Sequence, residues 1–136
     1  MLLTLFFLFS ATIKADVFRC DEPKGMSIWS NEGHKITPDG FAGVNPIVIT
    51  DQKEMTIIWG DSKSVAGGEE KVWKAIIINR SPESISGIAL DEGVGGSATI
   101  LYTIDIKRGF LYMSSHKHNE ILNHSIANTF VSKCKK

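Results

Sequence analysis

The clearest pattern along the chain is an alternation of apolar and largely polar residues over positions 98–107. The apolar positions are Ala98, Ile100, Tyr102, Ile104 and Ile106. A period of two places them on one face of a β-strand. Gly109 can adopt the left-handed conformation that closes a three-residue loop, so residues 110–115 are predicted to return as a second strand. We expect Ile104 to lie opposite Tyr112, which would continue the apolar face across both strands.

Short β-branched or alternating segments, separated by turn signals, predict strands along most of the remaining chain. The predicted strands cover residues 17–20, 26–29, 47–50, 55–59, 72–79, 85–90 and 125–134. The predicted turns cover residues 31–33, 37–40, 51–53 and 81–84. Residues 61–70 and 91–97 are predicted to be longer polar loops that contain glycine, and residues 116–124 show no sustained period.

The segment 72–79 differs from the others because it is apolar on both faces. Val72, Ile76 and Ile78 share one side, and Trp73, Ala75 and Ile77 share the other. This pattern is typical of a strand that is covered on both sides, or of one that forms an interface.

Seven or eight short strands with mostly short connections predict an all-β fold. Sequence neighbours can pair in an antiparallel meander, which we expect to form a small closed or partly closed barrel, because closure removes exposed strand edges. A two-sheet sandwich is the alternative. The aromatic side chains of Trp59 and Trp73 are expected in the core, or lining a ligand cavity inside the barrel.

The first fifteen residues form an apolar leader. Residues 2–9 are apolar except for Thr4, and Ala15 supplies a small residue for cleavage, although no Lys or Arg precedes the run. We interpret residues 1–15 as a signal peptide and residues 16–136 as a single domain. The alternative is a buried N-terminal strand or helix.

The two cysteines, Cys20 and Cys134, lie near the two ends of the mature chain. An exported protein meets oxidising conditions, so one disulfide between them is the simplest expectation, with two free thiols as the alternative. The bridge requires the first and last strands to be neighbours.

Charge and hydropathy exclude some classes of partner. The 15 basic and 15 acidic residues cancel, with no basic stripe, so no nucleic-acid partner is predicted. No second apolar run is long enough to form a transmembrane segment after cleavage. The Asn79 and Asn123 sequons matter only in a eukaryotic secretory route.

Candidate chemistry is sparse. His116 and His118 would share one face of an extended segment, and with His124 they form a weak candidate for a metal site. No metal or other cofactor is otherwise predicted. Adjacent Asp91 and Glu92 would point apart on a strand. No Gly-x-Ser-x-Gly elbow or complete phosphate loop occurs, so we do not expect an enzyme.

The predicted loops are the best candidates for function, because binding residues are often presented on loops. Their charged candidates are Asp61, Lys63, Glu69, Glu70, Asp91 and Glu92. We expect a non-enzymatic, exported domain, periplasmic or secreted, that binds an envelope macromolecule such as a protein through these loops. The alternative is a lipocalin-like carrier of a small apolar ligand, and an enzyme is the least supported class.

Segments at both ends and in the central hairpin carry a resemblance. Val17-Phe18-Arg19-Cys20, Tyr102 to Asp105 with Gly109, and residues 127–134 resemble uncharacterised small exported bacterial proteins that run from one cysteine strand to another. This resemblance implies a periplasmic setting and no particular activity.

The chain is also faintly similar to periplasmic inhibitors of c-type lysozyme, which are small disulfide-bonded β-barrels that present a Ser-Gly-x-x-Tyr loop. Here Ser86-Gly87-Ile88-Ala89 is followed by Leu90 in a predicted strand, so no inhibitory residue is transferred.

Overall fold

The computed structural model describes residues 15–60, 72–93 and 95–136, and this part of the chain is all-β. Eight strands close into an antiparallel barrel, and two further strands extend its sheet. The strands are β1 (Asp16–Cys20), β2 (Lys24–Trp29), β3 (Lys35–Gly40), β4 (Ile47–Thr50), β5 (Glu54–Ile58), β6 (Val72–Arg80), β7 (Ser84–Gly93), β8 (Gly96–Asp105), β9 (Phe110–Asn119) and β10 (His124–Lys135). The predicted barrel is confirmed; the predicted leader, residues 1–15, lies outside the described residues except for Ala15.

The barrel is a meander from β4 to β10 that β1 closes. β1 pairs with β4 on one side and with the end of β10 on the other, where Cys20 lies opposite Cys134. The two cysteines form the predicted disulfide. This bond is compatible with an oxidising, exported location. Within the described ranges, no helix is long and apolar enough to cross a membrane.

The two extra strands arise where the first strand of the barrel is interrupted. Pro23 is buried and has no backbone N–H, so it cannot donate to a sheet at this point. Beyond it, β2 pairs with residues 126–131 of β10, and β3 pairs with β2. The chain therefore leaves the barrel as a hairpin and returns at β4.

The central hairpin is confirmed, but the predicted register is wrong by one residue. Asp105 pairs with Phe110, so the loop has four residues, 106–109, and Ile104 lies opposite Leu111. The Asp105 carboxylate accepts a hydrogen bond from the Arg108 amide at 2.8 Å, which stabilises the longer loop. A slip of one residue exchanges the faces of a strand. Leu111 is consequently buried, and Tyr112 faces outward.

Residues 37–40, predicted to form a turn, belong to β3 instead. Pro38 is tolerated there because β3 pairs with β2 alone, so it lies at the edge of the sheet. The Ser27 hydroxyl donates to the Asp39 carboxylate and the Gly40 amide donates to it at 2.7 Å. These contacts hold the sequence extended despite its turn-like composition.

The predicted connection at residues 91–97 is also wrong. β7 runs to Gly93 and pairs with β8 through Gly93 opposite Gly96, so most of this segment belongs to the two strands. Residues 116–119 complete β9, and His124 begins β10. The glycines do not end these strands. Pairing with a long neighbouring strand supplies backbone hydrogen bonds that stabilise the extended chain despite the low strand propensity of glycine.

Side chains fill much of the barrel interior. The largest fully buried ones include Tyr102, Met55, Ile57, Ile85, Ile104 and Leu111. Phe41 packs between Trp59 and Phe130, with ring centroids 5.1 and 4.8 Å apart, and Trp59 packs edge-on against Trp73. The core placement predicted for Trp59 is confirmed, whereas Trp73 is half-buried.

Candidate binding site at one end of the barrel

The connections between the barrel strands lie at its two ends. One end, which we call the turn end, contains the turns 51–53, 81–83 and 106–109. Two ion pairs lie there: the Lys107 Nζ is 3.0 Å from the Glu83 carboxylate, and the Arg108 guanidinium is 3.0 Å from that of Asp105. The Arg108 backbone amide lowers the pKa of Asp105, and its guanidinium lowers it further. Ion pairs at the surface add little stability.

The opposite end, which we call the loop end, is where β5 ends, β6 begins, β7 turns into β8 and β9 turns into β10. An open groove of about 260 Å³ lies there. Its lining includes Asp91, Lys117, His118, Asn119, His124 and Ile126. Acidic, basic and imidazole groups from three different strands therefore meet in one concave surface.

Strand alternation explains how these side chains meet. On β7, Ile85, Gly87 and Ala89 are buried toward the interior, and the same alternation continues to the exposed Asp91. Lys117 continues the inward series of β9 in the same way, beyond Ser115. Charged residues can occupy inward positions here because the barrel opens to solvent at this end.

The three histidines of the predicted metal site are not brought into one cluster. His116 and His118 are exposed on the outer face, and the His118 Nδ1 is 3.0 Å from the Ser125 hydroxyl. His124 is buried on the inner face and stacks on Trp29, with ring centroids 5.7 Å apart. Among the residues that the structure describes, no group of three or more His, Cys, Asp or Glu could hold a metal ion.

A second open groove, of about 480 Å³, lies on the outer face beside the loop end. His116 and His118 line it together with His34, which the β2–β3 turn delivers in a left-handed backbone conformation with φ of 62°. No local pattern indicated His34, because its approach to His116 and His118 depends on the pairing of β2 with β10.

Several polar atoms in the barrel interior have no hydrogen-bond partner within the described structure. They include the Trp59 Nε1, the Tyr102 hydroxyl and the Asn128 Oδ1. Burial raises the pKa of Tyr102, and the charge of Asp91 raises it further. Buried polar groups normally have a hydrogen-bond partner, so these atoms are suited to bind water or a ligand.

The barrel wall is splayed between β6 and β7. Their pairing extends from Arg80 opposite Ile85 to Ile76 opposite Ile88 and is not continued by the described residues closer to the loop end. A groove of about 330 Å³ lies at this point, and both outward residues such as Leu90 and inward residues such as Trp73 and Ile100 line it. The groove therefore reaches from the outer surface toward the core.

Of the charged candidates in the predicted loops, only Asp91 is shown to line the groove at the loop end. Glu92 lies in β7, where its backbone pairs with Ser97. Asp61, Lys63, Glu69 and Glu70 lie outside the described residues. Lys117 and Asn119 were not among the residues predicted from the sequence. Extending the alternation of β9 beyond Ser115 would have placed both on its inner face.

No family model matches the chain, and no curated protein matches it either.

Proposed function

We propose that the protein is a non-enzymatic, exported binding domain that engages another macromolecule of the cell envelope, most simply a protein, through the loop end of its barrel. The observation that carries this proposal is the open groove in which Asp91, Lys117 and His124 meet. Binding sites typically combine apolar surface with a few convergent polar groups, and this groove has both.

The arrangement of the charged groups supports this assignment. Glu83, Asp105 and Asp16 at the turn end are engaged by Lys107, Arg108 and Lys136 within the same chain. The groove at the loop end brings charged groups of β7 and β9 together across a concavity. A partner would gain hydrogen bonds and complementary charge there, and complementary charge mainly improves specificity and association rate.

The test compares charge reversal at the two ends. Asp91→Lys reverses a charge in the groove, whereas Glu83→Lys makes the same change at the turn end, where the side-chain pair is exposed. We expect immobilised wild-type protein and Glu83→Lys to recover the same binding partner from envelope extract. Asp91→Lys should recover roughly tenfold less of that partner, because a central charged contact is lost.

Circular dichroism and the urea midpoint of each variant establish that both remain folded. Equal recovery by all three proteins, or no specific partner for the wild type, would refute the proposed site. Recovery that decreases equally with both variants would assign binding to overall charge and would also contradict it.

A carrier of a small apolar ligand is the second candidate. The splayed wall between β6 and β7 favours it, because that groove reaches the inward side chains of Trp73 and Ile100. Solvent extraction of the purified protein in the same experiment distinguishes the two functions. A stoichiometric small apolar molecule in the extract, without a macromolecular partner, would replace the binding-domain proposal with the carrier.

A further inference from the structure

The outer face of β6, β7 and β8 carries a continuous set of apolar side chains, all exposed except the half-buried Ile88, which we call the apolar wall. Its members are Ile76, Ile78, Ile88, Leu90 and Leu101. Ile76 pairs with Ile88, and Ile88 pairs with Leu101, so the set is contiguous across three neighbouring strands. Ile76 is 71% exposed and Leu90 is 72% exposed. Scattered apolar residues are common on protein surfaces, but contiguous ones mark an interaction surface.

The exposure of this face distinguishes the two interpretations of residues 72–79, a strand covered on both sides and a strand that forms an interface. Ala75 is buried on the inner side, whereas Val72, Ile76 and Ile78 on the outer side remain exposed in the single chain. Among the described residues, none covers the outer side of this strand. A register shift between Ile77 and Asn79 also places Ile78 at an irregular position, where it projects from the sheet.

One acidic and one basic side chain that the structure describes next to the apolar wall balance each other. Glu54 is the register partner of Ile76, and its carboxylate lies 3.0 Å from the Lys74 ammonium. A contact between two identical surfaces requires each surface to be compatible with itself, and a net charge would make two copies repel. The neutral pair beside the wall meets that requirement.

The composition of the apolar wall argues against binding to a lipid membrane, which is the main alternative to a second copy of the chain. Faces that bind membranes combine clustered Lys and Arg with Trp, Phe or Tyr at the interface. The apolar wall consists of isoleucine and leucine only, and the neighbouring Lys74 is ion-paired.

We infer that two copies of the chain associate through their apolar walls about a two-fold axis. This association is separate from the proposed binding at the loop end, because it uses the outer side of the barrel rather than the groove containing Asp91. The dimer would cover Ile76, Ile78 and Leu90, the most exposed members of the wall, in both copies.

Sedimentation equilibrium of residues 16–136 with the disulfide intact tests this inference. Leu90→Asp places a charge in the wall, while Leu122→Asp makes the same change at a leucine that is 67% exposed in the turn between β9 and β10. We expect a dimer for the wild type and for Leu122→Asp. For Leu90→Asp we expect the dimer dissociation constant to rise by roughly 100-fold or more, because the substitution occurs twice in each symmetric interface.

A second variant, Ile76→Asp, shows whether the effect belongs to the wall as a whole, and it should act like Leu90→Asp. A wild-type protein that stays monomeric at all attainable concentrations would overturn the inference. So would a dimer that both wall variants leave intact, which would place the interface elsewhere. Binding of monomeric wild type to phosphatidylcholine vesicles, lost in Leu90→Asp, would assign the wall to lipid instead.

Discussion

Leu111 and Tyr112 are neighbours in β9 but lie on opposite sides of the barrel wall. Leu111 is fully buried opposite Ile104, whereas Tyr112 is 44% exposed opposite Thr103. The two residues therefore report the register of the central hairpin. The register expected from the sequence would have reversed their environments, since adjacent residues in a strand face opposite ways.

We predict that Leu111→Asp lowers the free energy of unfolding by about 3 kcal/mol or more, because a carboxylate would replace a core side chain without a partner. Tyr112→Asp should cost only about 1 kcal/mol, since its ring is partly solvated and the change mainly affects strand propensity. Urea unfolding of the two variants beside wild type measures the difference. A larger loss for Tyr112→Asp would mean that the register is the one expected from the sequence.

At the scale of elements, the turn between β8 and β9 is hydrogen-bonded to the last strand, β10. Gly109 has φ of 71°, its amide donates to the Asp105 carbonyl at 2.9 Å, and its carbonyl accepts a hydrogen bond from the Cys134 amide at 2.8 Å. A Cβ at this position would lie 2.8 Å from the Cys134 carbonyl oxygen. Glycine is thus required by both the backbone conformation and the close approach of β10.

We predict that Gly109→Ala destabilises the protein more than Gly33→Ala does. Gly33 has a similar φ of 67° but an added Cβ would meet no atom within 4 Å. The left-handed conformation alone costs roughly 1–2 kcal/mol with a side chain, and this strain is common to both variants. The excess loss in urea unfolding for Gly109→Ala measures the contact with β10. Equal losses would indicate that β10 does not approach the turn this closely.

At the scale of the molecule, the disulfide joins residues 114 positions apart and closes the barrel where β1 meets β10. Covalent closure of so long a loop restricts the unfolded chain, for which the chain-entropy model gives an upper value of about 4–5 kcal/mol. Only two register pairs, Arg19 with Lys135 and Cys20 with Cys134, connect these strands. The bond therefore reinforces the shortest described seam of the barrel.

We predict that replacing both cysteines with alanine, or reducing the bond, lowers the free energy of unfolding by about 2–5 kcal/mol. Urea unfolding of wild type with and without reductant measures this loss. The double variant is the control, because reductant should not affect it. Identical urea midpoints for oxidised and reduced wild type would contradict a stabilising role of the bond.

The sequence by itself determined the strand-rich pattern, the inner face of β8 and the pairing of the only two cysteines. Ile100, Tyr102 and Ile104 are buried as their alternation predicts, because a period of two requires no knowledge of the strand's neighbours. Asp91 was also indicated as a binding candidate, although in a loop rather than at the end of β7.

Only the tertiary structure decided the register, the strand character of residues 37–40 and the content of the groove. The loop of residues 106–109 sets the register through contacts with Asp105 and Cys134, and β3 extends along β2 despite Pro38. Lys117 meets Asp91 and His124 in one groove only because the ends of β7 and β9 and the start of β10 lie together at the loop end. These outcomes depend on contacts between distant segments, which local patterns of residues do not encode.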